Sequence, residues 1–274
     1  MGKLVLGTVQ FGLQYGVNSA GRPGEDAVRE ILSAAWMGGI DTLDTSSAYG
    51  NAEEVLGRCR KDPFLLISKY PAGAGPVAEV FADTLFRLRT DHLYGYLLHH
   101  FSVFRENPAV WEDFLQLKSV GRVHKIGFSL YEPEELEYIL EQGAPFDLLQ
   151  IPFNVFDRKF LPYMQDLHRK GVEIHVRSTF LQGLFFKDRN ALPAKLQPLR
   201  KYLLQLDDYA RENGLSVAEV ALNANLQHPC IDGVLIGVDN LQQLQSNLQA
   251  VKDTPVNLDV DVIEKALLNP VNWN

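Results

Sequence analysis

Four side chains of complementary type stand at or just beyond the ends of short apolar runs: Asp44, Lys69 and His99, with Tyr49 five residues past the aspartate. An acid, a phenol, an amine and an imidazole make an acid–base set suited to delivering a proton to a carbonyl oxygen. Tyrosine ordinarily titrates at about 10 and lysine at about 10.4. An ammonium beside the phenol is expected to favour phenolate and draw the tyrosine pKa down. Asp44 would hold that ammonium by a charge-assisted hydrogen bond. Tyr49 then acts as general acid or base, and His99 donates to the same oxygen and orients the substrate. Singly, each residue has a plainer reading: Asp44 as a helix cap, Lys69 as a solvated chain, Tyr49 as packing, and one of His99 and His100 as a residue facing away. Their joint placement on consecutive segment ends is what points to chemistry.

The segments that must position them alternate from end to end. Strand-like runs are predicted at Leu4–Thr8, Asp41–Asp44, Phe64–Ser68, Tyr94–Leu98, Lys125–Ser129, Leu148–Ile151, Glu173–Arg177 and Gly233–Ile236. Several are continuously apolar (FLLIS, LYGYLL, GVLIG), as parallel strands buried on both faces should be. Helices are predicted between them at Gly24–Met37, Ala52–Cys59, Pro76–Leu88, Pro108–Val120, Pro133–Glu141, Arg158–Arg169, Ala194–Glu212, Val217–Gln227, Leu241–Val251 and Val260–Leu268. In the first, Val28, Ile31, Leu32 and Ala35 form one stripe. Pro76, Pro108 and Pro133 mark helix starts. Gly39, Gly121, Gly143, Gly171 and Gly214 mark helix ends or strand starts.

An eightfold strand–helix alternation closes into a barrel or opens into a doubly wound sheet. The first turn reads GTVQFGLQYG, not GxGxxG, which favours the (β/α)8 barrel over a dinucleotide-binding open sheet. The 274 residues match the roughly 250 of one such barrel, and no linker divides them, so residues 1–274 are expected to form a single domain. In a barrel the working residues lie at the C-terminal strand ends. Neighbouring strands ~4.8 Å apart would let Asp44, Lys69 and His99 converge. Phe185–Pro198, charged and holding Pro193, is a candidate lid.

Composition narrows the remaining classes. With 46% hydrophobic and 22% charged residues a large core is expected. A net charge of −8 disfavours nucleic acid. No apolar run approaches the ~18 residues of a membrane span, and no basic leader precedes the first strand. Gly2 opens the chain, but position 6 is Leu6, which argues against myristoylation. Cys59 and Cys230 cannot build a disulfide framework and read as reduced thiols of a cytoplasmic protein. A metal-dependent barrel hydrolase could draw on Asp44, His99, His100 and His175. No HxH pair follows the first strand, so no metal is expected.

At these residues the chain resembles the aldo-keto reductase superfamily over almost its whole length. GIDTLDTSSAYGNAEEVLG (39–57) is similar to the family's aspartate and tyrosine segment. LLISKY (65–70) resembles its lysine segment and DHLYGYLLHH (91–100) its histidine segment, with His99 rather than His100 aligned. GRVHKIGFS, LLQIPFNVFDR, VRSTFLQG and LIGVDNLQQLQSNLQA follow in family order. The resemblance implies a catalytic tetrad of Asp44, Tyr49, Lys69 and His99, and an NAD or NADP cofactor lying across the barrel mouth. It implies cofactor contacts at Gly7, Thr8, Ser129, Gln150, Arg177, Ser178, Leu181, Gly183, Gly237, Asp239, Gln243 and Asn247. Ser129 and Gln150 would hold the carboxamide, and Asn247 would lie near the adenine. The substrate, a small-molecule carbonyl or alcohol of sugar or aromatic type, would meet Phe11, Tyr15, Phe101 and Phe180.

Departures from the family pattern matter. Leu130 stands where the family often has Asn. Arg177 replaces an aromatic ring; its guanidinium either stacks by its flat face or binds an anion. The loop GVDNLQQLQSN (237–247) has no cation for a 2′-phosphate, which implies that NADH is accepted at least as well as NADPH. Only three residues precede Leu4, so the N-terminal β-hairpin plug of many members is reduced or absent. A regulatory nicotinamide-binding protein and a sugar epimerase with a transiently reduced cofactor are the alternatives. A monomer or weak homo-oligomer is expected.

Overall fold

A computed structural model describes residues 3–16 and 21–273; Gly2, where a lipid acceptor would lie, is outside them. Eight parallel strands close into a barrel in sequence order: β1 (Leu4–Gly7), β2 (Thr42–Asp44), β3 (Leu65–Tyr70), β4 (Leu93–Leu98), β5 (Val123–Ser129), β6 (Leu148–Pro152), β7 (Glu173–Arg177) and β8 (Gly233–Gly237). The helices are α1 (Val9–Gly12), α2 (Glu25–Met37), α3 (Ala52–Cys59), α4 (Val77–Leu88), α5 (Phe101–Glu106), α6 (Val110–Ser119), α7 (Pro133–Glu141), α8 (Leu161–Arg169), α9 (Arg200–Glu212), α10 (Val217–Leu226), α11 (Leu241–Gln249) and α12 (Lys265–Leu268). Among the described residues no strand precedes β1.

The main core lies between the sheet and its helices. The predicted stripe Val28, Ile31, Leu32 and Ala35 is buried there, on α2. Inside the barrel, the strand register stacks inward residues in layers drawn from alternate strands. Gly7, Lys69, Ser129 and Arg177 are uppermost, with Asp44, Leu97, Gln150 and Leu235 beneath. Ile67, Leu97 and Leu148 form a dry interior cluster. Below it Glu173 accepts from Tyr94 Oη at 2.7 Å, His175 Nε2 at 2.6 Å and Lys125. Burial opposes ionisation of Glu173, but the hydrogen bonds from His175, Lys125 and Tyr94 outweigh it and hold its pKa at about 2. His175 is thus engaged at the lower end of the barrel, and the described residues hold no cluster able to bind a metal.

Helix boundaries depart from the sequence pattern where prolines and side-chain branching intervene. Pro198 lacks an N–H, so Ala194–Leu199 is a 3₁₀ turn ahead of α9 rather than its first turns. Only the end of Val260–Leu268 is helical; the alternating Asp and Val of DVDV favour other conformations. Phe185–Pro198 is packed against the body at Phe185, Leu192 and Leu196, while Phe186 reaches the cavity at the barrel mouth. Phe185, Leu192 and Leu196 enter a second apolar core with α9, α10 and the C-terminal segment. Arg189 pins this segment to Asp207 on α9 (2.7 Å) and to the Phe185 carbonyl (2.8 Å).

One buried carboxylate ties the elements around the active end together. Glu53 on α3, 2% exposed, accepts from Ser68 Oγ of β3 at 2.6 Å and Arg87 Nε of α4 at 2.7 Å. Removing it strands a partly buried guanidinium and a buried hydroxyl. Glu53→Ala is expected to lower stability by about 3 kcal/mol, read as a melting temperature roughly 6–10 °C lower. An unchanged melting curve would show that this carboxylate is not a tie between the elements.

Candidate active site

Asp44 is the last residue of β2, and its carboxylate is gripped from two sides. Lys69 Nζ of β3 donates to Oδ1 at 2.5 Å and to the Thr45 carbonyl at 2.9 Å. From β6, four strands away, Gln150 Nε2 donates across the barrel to Oδ2 at 2.8 Å. The Lys69 side chain is wholly buried and that of Asp44 3% exposed. Burial pulls the Lys69 pKa below its ordinary value, and Asp44 pushes it back up.

Tyr49 follows β2 in the turn that leads into α3, and Ala52 N–H bonds its carbonyl at 3.1 Å. α1 presses on the same turn. A Cβ on Gly12 would fall 1.7 Å from the Tyr49 carbonyl oxygen, so only glycine allows this approach. Lys69 Nζ lies 5.1 Å from the Tyr49 ring centroid, and the His99 ring meets Tyr49 edge-on at 5.5 Å. No described residue hydrogen-bonds the phenol oxygen. The expected softening of Tyr49 is overturned: burial, then the Asp44 carboxylate, push its pKa above the ordinary value. Lys69 directs its charge at Asp44 and not at the phenol oxygen. The site therefore holds a phenol, a proton donor across the neutral range.

His99 follows β4 and is 9% exposed. Burial, followed by the charges of Lys69, His100 and Arg177, lowers its pKa to about 2, so the imidazole is neutral. Its Nδ1 lies 3.0 Å from Ser46 Oγ, which itself accepts from Ala48 N–H at 3.1 Å. The serine proton then has two destinations, His99 Nδ1 at 3.0 Å or the Lys69 carbonyl at 3.5 Å. We assign the hydroxyl proton to the shorter contact, with Nδ1 as acceptor and the ring proton on Nε2.

These residues open on a cavity of about 720 Å³ at the C-terminal end of the strands. Of the residues expected to bind cofactor, Gly7, Thr8, Ser129, Gln150, Arg177, Ser178, Gly183, Gly237, Asp239, Gln243 and Asn247 line it, as do Tyr15 and Phe180 from the expected substrate set. Asp44, Tyr49 and His99 line it too, with Lys69 buried behind them. Three of the expected residues do not line the cavity. Phe11 is 0% exposed in the core on α1, Phe101 packs edge-on against Tyr138 at 5.5 Å, and Leu181 is buried in the second core. In the first two, a helix turns at once after the strand and carries its apolar residue under the sheet rather than into the mouth.

Sequence reasoning missed Ser46, Tyr131, Gln10, Asn240 and Ser246. Ser46 and Tyr131 lie two residues past Asp44 and Ser129, so the period of two along a strand would have found them. Asn240 caps α11 by accepting from Gln243 N–H at 2.9 Å, and Gln243 Oε1 in turn accepts from Asp239 N–H at 2.7 Å. After β7, Ser178, Leu181 and Gln182 all take positive φ (65°, 47° and 54°). This costly backbone beside the cavity is held by Asn154, which donates to the Ser178 carbonyl at 3.0 Å, and by the buried Leu181. Ser46→Ala is expected to release His99 into a mixture of tautomers, readable in imidazole ¹⁵N chemical shifts. A single Nε2–H tautomer in that variant would remove Ser46 from the role.

A model of the aldo/keto reductase family matches residues 3–267. The chain is 26% identical to the uncharacterized oxidoreductase YrpG of Bacillus subtilis, covering 98% of this chain and 91% of that one. It is 24% identical to L-galactose dehydrogenase of Arabidopsis thaliana, covering 98% and 92%. The holo form of aldo-keto reductase AKR11C1 from Bacillus halodurans superposes with a TM-score of 0.75 at 23% identity, over 93% of this chain and 88% of that one. With the closed barrel and the Asp44–Tyr49–Lys69–His99 cluster in place, the chain belongs to the aldo/keto reductase family of oxidoreductases.

Proposed function

We propose that this oxidoreductase reduces an aldehyde or ketone to an alcohol, or runs the reverse reaction, with a nicotinamide dinucleotide as hydride carrier and Tyr49 as the acid–base group. The observation that carries the reading is an unbonded phenol beside a neutral imidazole, both over the buried Lys69–Asp44 pair and both lining one cavity.

The residues present fit such a cofactor. The cavity volume falls within the range of small-molecule and cofactor sites, and it runs from Tyr49 and His99 to Ser246 and Asn247 on α11. Gly7 brings no side chain to the β1–β8 wall, and the Gln10 amide lies over Gly237, where a Cβ would meet it at 2.5 Å. Ser129 would hold the carboxamide, joined by Gln150 through its oxygen or the second N–H of its amide, one N–H being given to Asp44. The bound dinucleotide supplies the hydride. Tyr49 gives its proton to the developing alkoxide, and His99 Nε2–H donates to the same oxygen. Lys69 and Asp44 fix the floor on which Tyr49 sits. Tyr15, Tyr131, Phe180 and Phe186 wall the outer cavity, which suits a sugar's apolar face or a small aromatic carbonyl.

Among the described lining residues Arg177 is the only lysine or arginine, and it lies at the reacting end; the described lining near Asp239 offers no cation to a 2′-phosphate. This supports acceptance of NADH at least as readily as NADPH. No described helix is long and apolar enough to cross a membrane, and Cys59 and Cys230 are unpaired, which fits a reducing compartment.

Tyr49→Phe is expected to lower kcat on a simple aldehyde such as 4-nitrobenzaldehyde by at least about a hundredfold, while dinucleotide affinity persists; full turnover would end this reading. The raised phenol pKa sets the pH dependence. For reduction the phenol is the active form, so kcat/KM should stay flat through neutral and mildly alkaline pH. For alcohol oxidation the phenol must first lose its proton, so kcat/KM should climb with pH. An aldehyde-reduction profile that falls through a group titrating at about 7 would contradict the assignment. Dissociation constants for NADH and NADPH are expected to lie within about tenfold of each other; a preference for NADPH of about a hundredfold, ~2.7 kcal/mol, would overturn the cofactor inference.

A further inference from the structure

The reacting end of the cavity carries more positive than negative charge. Asp44 is its acid, and both of that carboxylate's oxygens are engaged, by Lys69 and by Gln150. The neutral His99 and the protonated Tyr49 add no charge. Arg177, at the end of β7, occupies the same layer as Lys69 and is half-buried. No described carboxylate lies within ion-pair distance of it. A partly buried cation without a counter-ion is unfavourable, and a ligand that brings the opposite charge relieves the penalty.

The guanidinium is also pre-oriented. Its Nη2 donates to the Leu130 carbonyl at 2.8 Å, and its Cζ lies over the Tyr131 ring, 4.0 Å from the centroid. Among the described residues one of its five N–H donors is thus occupied and an aromatic ring lies against it, and the residue lines the cavity. Holding the fork in place beforehand removes much of the entropy that ligand binding would otherwise cost. The backbone carbonyl of residue 130 and the Tyr131 ring together hold the guanidinium.

Resting on the carbonyl-reduction reading of this cavity, we propose that Arg177 selects substrates bearing an oxyanion, a carboxylate or phosphate, beside the reacting carbonyl or alcohol. Tyr15, Phe180 and Phe186 contact the apolar body of such a molecule, and the Arg177 fork takes the anion in bidentate fashion. A dinucleotide held with its nicotinamide near Tyr49 and its adenine toward Asn247 would carry its phosphates away from Arg177, which would leave the guanidinium to an anion of the substrate.

The test reads binding without turnover. Benzoate, phenyl phosphate and the uncharged benzamide are titrated calorimetrically into the wild type, Arg177→Gln and Arg177→Lys, with and without NADH. At least one anion should bind the wild type at least about tenfold more tightly than benzamide, which identifies carboxylate or phosphate as the group taken. That preference should vanish in Arg177→Gln and survive in part in Arg177→Lys. Equal binding of all three compounds, no measurable binding of either anion, or a preference undiminished in Arg177→Gln would overturn the proposal. If NADH abolished the wild-type preference, the anion site would be the cofactor's and the proposal would fail. In parallel, the ratio of kcat/KM for 4-carboxybenzaldehyde to that for 4-nitrobenzaldehyde should drop at least about tenfold in Arg177→Gln. Absence of turnover of both aldehydes with anion binding intact would refute the carbonyl reading alone.

Discussion

Lys69 and Asp44 meet at 2.5 Å under the mouth of the barrel with almost no access to solvent. Removing two charges from water costs several kcal/mol per ion, and their attraction offsets this only where the remaining hydrogen-bonding capacity is met. Here it is met: Lys69 also donates to the Thr45 carbonyl, and Asp44 also accepts from Gln150. Such a pair is a poor stabiliser but a strict organiser. It can exist only if β2, β3 and β6 bring their residues to one point, so barrel closure and the layout of the site become a single condition. The Asp44 backbone is held too, since Thr8 donates to its carbonyl through both N–H (3.0 Å) and Oγ1 (2.9 Å).

The groups above this pair take their properties from it. Tyr49 stands over a carboxylate already matched by an ammonium, in a place from which water is largely excluded, and so keeps its proton. His99 sits beside two cations and a second imidazole, His100, stacked at 4.7 Å. Protonation there would add another positive charge to a low-dielectric site, so the ring stays neutral and its remaining bond, to Ser46, sets its tautomer. The two donors differ in kind: one can surrender its proton, while the other only lends a hydrogen bond.

Much of the architecture was legible because burial leaves a periodic trace. Eight apolar runs, each bounded by turn residues, correspond to the eight strands within a residue or two. Asp44 and His99 could be placed because they stand at the last position of a strand and just past one. The inexact parts were helix ends, where Pro198 and the DVDV stretch altered the local balance, and the short helices α1 and α5, which the pattern did not reveal. The aromatic residues divided in a way that pattern cannot decide. Phe11 and Phe101 are core, whereas Tyr15 and Phe180 line the cavity. All four follow strand ends, and the same apolar character suits either destination.

The amino-acid sequence by itself determined the alternation of strand and helix, the barrel that follows from it, and the four side chains that must converge. Those are consequences of local order along the chain: residue type, spacing, and the period of each element. Only the tertiary structure decided the direction of the Tyr49 pKa, the proton's place on His99, the commitment of Gln150 to Asp44 and the seat of Arg177 between Leu130 and Tyr131. Each of these depends on distances between residues 5 to 106 positions apart in the chain, and on how completely water is shut out around them. Desolvation and charge pairing act through space, and no run of consecutive residues encodes either one.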